Sequence, residues 1–221
     1  MRPVIKNGSP TLARTTQHAP CLVQSNPKSK VIQWSFMKEK NDTNWLSRYF
    51  EQYNKSILVN ETMAELVKVK EMIVSAHKKG KKTIFVGNGG SAAMSSHCAV
   101  DFTKTAGIRA INFNEADLIT CFANDYGYEN WVKQALEFYA DKDDVVVLIS
   151  SSGKSPNMVN GAQYAKNAGL PLVTLSGFRP DNPLRQLGQV NLWVDSTSYN
   201  IVENTHLIWL LGICDLIIAN P

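Results

Sequence analysis

Small hydroxyl and glycine residues follow two apolar runs in this sequence. The first stretch, residues 83–101, reads TIFVGNGGSAAMSSHCAVD, and the second, residues 145–157, reads VVVLISSSGKSPN. In each stretch a β-branched run predicts a buried strand, and the small residues lead into a predicted helix. Helix N-terminal N–H groups combined with hydroxyls bind anions, most often phosphate. The first loop alone could be an ordinary turn, but two such loops in one chain favour phosphate binding.

The loops do not carry the common nucleotide-binding spacings. GNGGSA lacks the third glycine of G-x-G-x-x-G, and neither loop contains G-x-x-x-x-G-K-[ST]. The sequence therefore points to a phosphate ligand without pointing to a dinucleotide or a nucleoside triphosphate.

Two pairs of titratable residues lie at helical spacing. His97 and Asp101 are four residues apart on the predicted helix after the first loop, and Glu203 and His206 are three apart on another. Carboxylate and imidazole groups in this arrangement can transfer protons or ligate a divalent metal. Simpler interpretations remain, because His97 with Asp101 can be a surface pair and His206 can be a structural histidine.

Glu203 gives the strongest indication of chemistry among the titratable residues. Its predicted helix is otherwise apolar, and a buried carboxylate without a partner is unfavourable. We therefore expect Glu203 to face a cavity, a cation or donor, or another subunit.

Apolar runs and helical patterns alternate along the chain. We predict strands at 83–86, 109–113, 145–149, 170–175 and 192–194, and helices at 91–105, 156–168 and 200–219, with two more between 115 and 139. This order predicts an α/β fold, in which helices cover both faces of a parallel sheet in three layers. Ligands bind at the carboxyl ends of such strands, so both loops are expected at one site.

Aromatic and aliphatic residues recur at three- and four-residue steps between Asn44 and His77. They predict one or two long amphipathic helices, with a break near Asn60 or Thr62. A stripe of this kind is typical of a core or a contact between subunits.

Residues 1–40 are polar and without periodicity, which predicts a flexible basic arm before a single domain at residues 41–221. The arm holds seven basic residues and one acid, a net charge of +6, whereas the remainder carries −2. The domain itself therefore gives no reason to expect nucleic acid. Met37 begins a segment like an ordinary bacterial N-terminus, so we expect the preceding 36 residues to be an extension or a misassigned start. A basic targeting peptide is the rival interpretation, although the segment is poor in apolar residues and arginine.

The composition is that of a cytoplasmic protein. No run approaches 18 apolar residues, so no membrane span is expected, and no secretory signal is visible. The four cysteines lack paired or metal spacing and are expected to be free thiols; they are Cys21, Cys98, Cys121 and Cys214.

GNGGSAAMSSH followed by SSSGKSPN resembles the SIS (sugar isomerase) family of phosphosugar-binding domains, and within it the phosphoheptose isomerases. The resemblance covers roughly residues 45–219. It implies a doubly wound, flavodoxin-like sheet, a homotetramer and a sugar-phosphate ligand. By the same resemblance one group of residues binds the phosphate and the sugar: Asn88, Gly89, Ser91, Ser150, Ser151, Ser152 and Ser155. Asp125 matches a turn near the sugar, although it can equally be a turn-forming residue.

The resemblance also implies a Zn²⁺ site, from which this sequence departs. Phosphoheptose isomerases carry a zinc set of His, Glu, Gln and His. His97 matches the first histidine, Asp101 replaces the glutamate and Glu203 replaces the glutamine. Leu211 occupies the position of the second histidine, which is proposed to be catalytic. A metal held by His97, Asp101 and Glu203 and a site without metal are both compatible with this pattern.

Three functions remain open. The first is isomerisation of a phosphosugar, such as sedoheptulose 7-phosphate for surface polysaccharide, with Asp101 and Glu203 as the acid–base pair. The second is binding without turnover, as a sensor or assembly partner. The third is a heptose enzyme whose missing histidine comes from a neighbouring subunit. We favour them in that order.

Overall fold

The computed structural model describes residues 42–220, which lie in one compact unit, Asn41–Pro221. The prediction of a flexible arm at residues 1–40 lies outside these residues. The described strands are β1 (Thr83–Gly87), β2 (Ala110–Asn112), β3 (Val145–Ser150), β4 (Leu172–Ser176) and β5 (Val190–Trp193). The described α-helices are α1 (Asp42–Ile57), α2 (Asn60–Lys78), α3 (Gly90–Lys104), α4 (Ala116–Tyr126), α5 (Trp131–Tyr139), α6 (Pro156–Asn167) and α7 (Tyr199–Ala219).

All five strands run parallel in the order β2-β1-β3-β4-β5. Successive residues of β1 alternate between two apolar layers, since Phe85 packs in one and Ile84 and Val86 in the other. Helices α2, α3 and α7 cover the first face, and α5 and α6 cover the second, with α4 packed against them. The predicted fold class, a parallel sheet between two layers of helices, is confirmed.

The predicted elements agree with the structure to within a few residues. The chain breaks between α1 and α2 at Leu58–Val59, just before the predicted break near Asn60 or Thr62. Of the one or two helices expected in this segment, the structure has two, and only Leu58 and Val59 lie between them outside the helical conformation. The two helices predicted between 115 and 139 are α4 and α5, and the division between them falls at residues 127–130.

The strand order places a crevice at the carboxyl end of β1 and β3. The chain leaves β1 toward β2 on one side, whereas it leaves β3 toward β4 on the other. Ligands bind at such topological switch points in open α/β sheets. Gly87 pairs with Ile149 across the two strands, so both serine- and glycine-rich loops begin side by side.

Helix α7 is long and apolar enough, by length and composition alone, to cross a membrane, with a mean hydropathy of 1.6. Half of that stretch is buried in this fold, and Ile201, Leu210 and Ile213 belong to its core. We therefore regard α7 as a core helix.

A buried ion pair joins the opposite ends of the same two strands. The Lys82 ammonium lies 2.6 Å from the Asp144 carboxylate, which is 1% exposed and also accepts the backbone N–H groups of Lys82 and Asp141. Desolvation would lower the pKa of Lys82, but bonds to Asp141 and Asp144 raise it overall.

Asp144→Ala is expected to lower the free energy of unfolding by about 3 kcal/mol, because it removes one partner of a buried pair. Asp141 is exposed and its charge is screened by solvent, so Asp141→Ala is expected to cost much less than Asp144→Ala. Urea denaturation of both variants measures the difference. Equal losses would contradict the assignment of Asp144 as the buried anchor.

Candidate active site

A small cavity of about 120 Å³ lies at the switch point between β1 and β3. Hydroxyl, amide and carboxylate side chains dominate its lining, which consists of Asn88, Ser91, Ile149, Ser150, Ser151, Ser152, Ser155, Tyr199 and Glu203. The structure thus brings the predicted loop residues of both stretches to one cavity, with Gly89 in the turn beside it.

The second loop presents hydroxyls at the N-terminus of α6. Ser155 is the N-cap, and Pro156 begins the helix. The Ser150 hydroxyl donates to Ser155 Oγ at 3.3 Å, so these groups are clustered before a ligand enters. The first N–H groups of a helix have no intrahelical acceptor and favour an anion, which makes this end of the cavity suited to phosphate.

Gly153 and Asn182 fix the conformation of the second loop. Gly153 has φ +62°, and a Cβ at this position would collide with the Asn182 side chain. Asn182 is 1% exposed and cannot swing aside, since it donates to Ser176 Oγ and accepts from the Arg185 N–H. The loop can therefore hold this shape only with glycine at position 153.

Glu203 points from α7 into the gap between the two loops. The Ser151 hydroxyl donates to its Oε1 at 3.2 Å, and its carboxylate lies directly against Gly90, where a Cβ would collide with it. Gly90 is the first residue of α3, and a helix N-terminus stabilises a carboxylate. Glu203 thus lies beside a cavity and a hydrogen-bond donor, as expected from the sequence.

A second cavity, of about 280 Å³, lies on the other side of Glu203. His97 and Asn204 supply its other polar side chains, and its full lining is Gly90, Ala93, Met94, His97, Glu203, Asn204 and Leu207. His97 Nε2 lies 3.1 Å from Asp101 Oδ2, and both side chains are partly exposed. Glu203 therefore borders both the serine-lined cavity and a cavity that contains an imidazole backed by a carboxylate.

The residues proposed as metal ligands do not fit a metal ion. Across residues 42–220 no group of three or more His, Cys, Asp or Glu side chains is placed to hold one. His97 and Asp101 contact each other, whereas the Glu203 carboxylate lies against Gly90 at the start of α3 and is not grouped with them as a third ligand. We derive no step of the chemistry through a metal.

Comparison with known proteins shows the family of this chain. The SIS domain family matches residues 48–177. The chain belongs to the SIS domain family. It is 32% identical to the phosphoheptose isomerase of Aliarcobacter butzleri over 166 residues, which cover 72% of this chain and 87% of that protein. It is also 32% identical to the probable phosphoheptose isomerase of Thermoplasma acidophilum over 177 residues, 77% of this chain and 96% of that protein.

Solved structures show the same fold. The phosphoheptose isomerase of Neisseria gonorrhoeae superposes with a TM-score of 0.73 at 22% identity, covering 81% of this chain and all of that one. The enzyme from Francisella tularensis gives 0.72 at 22% identity, with 80% and 98% covered.

The resemblance placed Asp125 near the sugar and Leu211 at the position of a catalytic histidine, but neither residue lines the serine-rich cavity. Asp125 lies in a separate aromatic groove with Phe122 and Tyr126, where its carboxylate accepts the side-chain amide of Asn124. Leu211 is half-buried and packs on the core, so it brings no titratable group to the site.

Tyr199 lines the serine-rich cavity although nothing in the sequence singled it out. It lies one helical turn before Glu203 on α7, and that spacing was the available signal. Phe178 contacts its ring edge-on at 4.8 Å between centroids. Phe178 has φ +58°, an unfavourable conformation for this residue that the structure holds beside the site.

His206 connects α7 to the end of β4 in this SIS domain. Its side chain is fully buried, and Nε2 donates to the Ser176 carbonyl at 3.1 Å. Burial lowers the pKa of His206 to about 4, although the bond to Ser176 opposes the shift. The ring is therefore neutral at pH 7, and it takes the structural role, since it lines neither of the two cavities at Glu203.

The protein is expected to lose stability in mild acid through His206. Its pKa is near 6.5 in the unfolded chain and about 4 in the folded one, so the unfolded state binds more protons between these values. The contribution of neutral His206 to the free energy of unfolding is complete above pH 6.5, and it falls by about 3 kcal/mol as the pH drops toward 4. Urea denaturation at pH 7.0 and 4.5 measures the loss, which His206→Gln should reduce. An equal acid loss in both proteins would contradict this role.

Proposed function

We propose that this chain interconverts a ketose phosphate and an aldose phosphate, with sedoheptulose 7-phosphate and a heptose 7-phosphate as the pair, on a route to surface polysaccharide. The relatives named phosphoheptose isomerase support the substrate class. The position of Glu203, between a cavity suited to phosphate and one containing His97, carries the proposal of catalysis.

The phosphate of the substrate enters the serine-lined cavity. Ser150, Ser152 and Ser155 donate hydrogen bonds to its oxygens, and the N-terminus of α6 balances its charge. The sugar carbons then extend past Glu203 toward His97. This orientation puts the carbonyl carbon and its neighbour beside the only carboxylate that borders both cavities among the described residues.

Glu203 acts as the base in this proposal. Its carboxylate takes the proton from the hydroxyl-bearing carbon next to the carbonyl, which leaves an enediol, and returns a proton to the former carbonyl carbon. His97 passes the accompanying proton between the two oxygens. Asp101 lies 3.1 Å from His97 Nε2 and can fix the ring, so we assign it as a positioning residue rather than as a direct acid or base.

A second candidate function is binding without turnover. One observation favours it: Leu211 is apolar and packed on the core at the position where the resemblance places a catalytic histidine. In that case the serine-lined cavity holds a sugar phosphate, and bound ligand stabilises a surface that a partner recognises.

The assembly and location are part of the proposal. We propose a cytoplasmic homotetramer. The described part of α1 contains no buried residue, and Leu46 and Phe50 are 46% and 59% exposed, so a second copy of the chain is expected to cover this face. Light scattering on the purified protein measures the number of chains.

Turnover and thermal stability measured on one sample separate the two functions. The panel contains sedoheptulose 7-phosphate and other sugar phosphates, each with and without Zn²⁺. A ligand at about 100 times its Kd stabilises the protein by about 2.7 kcal/mol, which shifts the Tm visibly. Stabilisation with turnover supports the isomerase, and stabilisation alone supports the binding protein. If no sugar phosphate raised the Tm or was turned over, both proposed functions would be contradicted.

A further inference from the structure

The side chains of Asn88 and Asn157 form a reciprocal pair across the two loops. Asn88 Nδ2 donates to Asn157 Oδ1 at 3.0 Å, and Asn157 Nδ2 donates to Asn88 Oδ1 at 2.8 Å. Asn157 lies in the first turn of α6 and is 1% exposed, while Asn88 lines the serine-rich cavity. The two hydrogen bonds to Asn157, which does not line the cavity, thus fix the rotation of the Asn88 side-chain amide.

Tyr128 completes the set of bonds to Asn88. Its hydroxyl donates to Asn88 Oδ1 at 3.3 Å. An amide oxygen has two lone pairs, and here Asn157 and Tyr128 use both. One of the two N–H bonds of Asn88 goes to Asn157, and the other has no acceptor among the described residues. Asn88 therefore has only a donor left to present to a ligand.

We propose that Asn157 and Tyr128 are positioning residues that make Asn88 a hydrogen-bond donor to an acceptor oxygen of the sugar phosphate. That oxygen belongs to the phosphate group or to the carbonyl. A hydroxyl proton of the ligand is not recognised at Asn88, because no acceptor site remains on its amide. The inference rests on the proposed function only for the identity of the ligand.

The arrangement also links the two loops physically. Asn88 follows β1 and Asn157 follows β3, so the pair holds the two loops at a fixed separation. A ligand then meets an amide that is already oriented, and less conformational entropy is lost on binding. Asn157 itself does not line the cavity, so it acts on the ligand through Asn88.

A double-mutant cycle tests this role. Calorimetry measures the Kd of sedoheptulose 7-phosphate for the wild type, Asn157→Leu, Asn88→Ala and the double variant. Asn157→Leu is expected to raise the Kd about tenfold, because one oriented hydrogen bond is lost. In the Asn88→Ala background the same change is expected to have no further effect. Asn160→Leu, on the same helix and bonded to the Glu129 carbonyl, is the matched control and leaves the Kd unchanged.

Two other ligands identify the acceptor oxygen. Inorganic phosphate lacks the carbonyl, as does the heptitol 7-phosphate obtained by reduction. If Asn157→Leu weakens all three ligands alike, the N–H of Asn88 contacts phosphate; if it weakens only the ketose, it contacts the carbonyl. Either result supports the proposal. An Asn157→Leu effect that persists in the Asn88→Ala background would overturn it, since the residue would then act through the fold as a whole.

Nuclear magnetic resonance of the free protein separates failure of this proposal from failure of the proposed function. The side-chain amide signals of Asn88 and Asn157 are expected to shift together in Tyr128→Phe, which keeps the pair and removes one donor. This result does not require catalysis or a known substrate. Unchanged signals for both amides in Tyr128→Phe would contradict the proposed network. Because Tyr128→Phe is a conservative change, it tests the network even if Asn157→Leu does not fold.

Discussion

Glu203→Gln is expected to lower kcat for sugar-phosphate isomerisation about a thousandfold, within the range for loss of a general base. The amide has the shape of the carboxylate and can still accept from the Ser151 hydroxyl, so the two cavities keep their form. It cannot take a proton from carbon at neutral pH. Affinity for the substrate is expected to stay within about threefold, since no bond to the phosphate is removed.

Steady-state kinetics with calorimetric Kd values measures both quantities. Glu61→Gln is the matched control, because Glu61 lies on α2 and lines neither cavity beside Glu203. That variant should behave as wild type. If Glu203→Gln retained more than about a tenth of the wild-type kcat, Glu203 would not be the base.

Gly153→Ala is expected to abolish tight binding of phosphorylated ligands, with a rise in Kd of about a hundredfold or more. The added Cβ meets the Asn182 side chain, which is buried and held by several hydrogen bonds. Alanine is also unfavourable at φ +62°. Strain and collision together correspond to about 3 kcal/mol, which moves the loop out of its anion-binding shape.

Gly169→Ala separates the two causes. Gly169 has φ +70°, nothing lies within 4 Å of a Cβ at that position, and it follows α6 at the end far from the cavity. It is expected to destabilise the protein by about 1 kcal/mol through strain and to leave the Kd unchanged. Equal effects of the two variants on the Kd would show that the Gly153 contact with Asn182 is unimportant.

The fold could be predicted because its signals are local. The run VVVLIS is buried along its whole length in β3, and the small residues after it mark the start of α6. The same reasoning found β1 and α3. The break at Leu58–Val59 was harder to place, since no glycine, proline or side-chain cap marks it. Both α1 and α2 pack against α7, a contact that the local sequence does not reveal.

The sequence predicted most of the residues that line the site but not the residues that hold them in place. Serines and glycines at a strand end are visible in the sequence, but their supports are distant in the chain. Asn157 lies 69 residues from Asn88. Asn182, which lies against Gly153 of the second loop, belongs to the connection between β4 and β5. No periodicity relates such positions, because the folded sheet alone brings them together.

Transfer of hydrogen from solvent tests the central claim, that Glu203 moves a proton between adjacent carbons of a sugar phosphate. Sedoheptulose 7-phosphate would be incubated with the protein in D₂O and followed by nuclear magnetic resonance, beside Glu203→Gln. We predict an aldose phosphate carrying deuterium at the carbon next to the aldehyde, and neither product nor deuterium with Glu203→Gln. Binding of the sugar phosphate with no conversion and no deuterium in the wild type would contradict the claim and leave a binding protein.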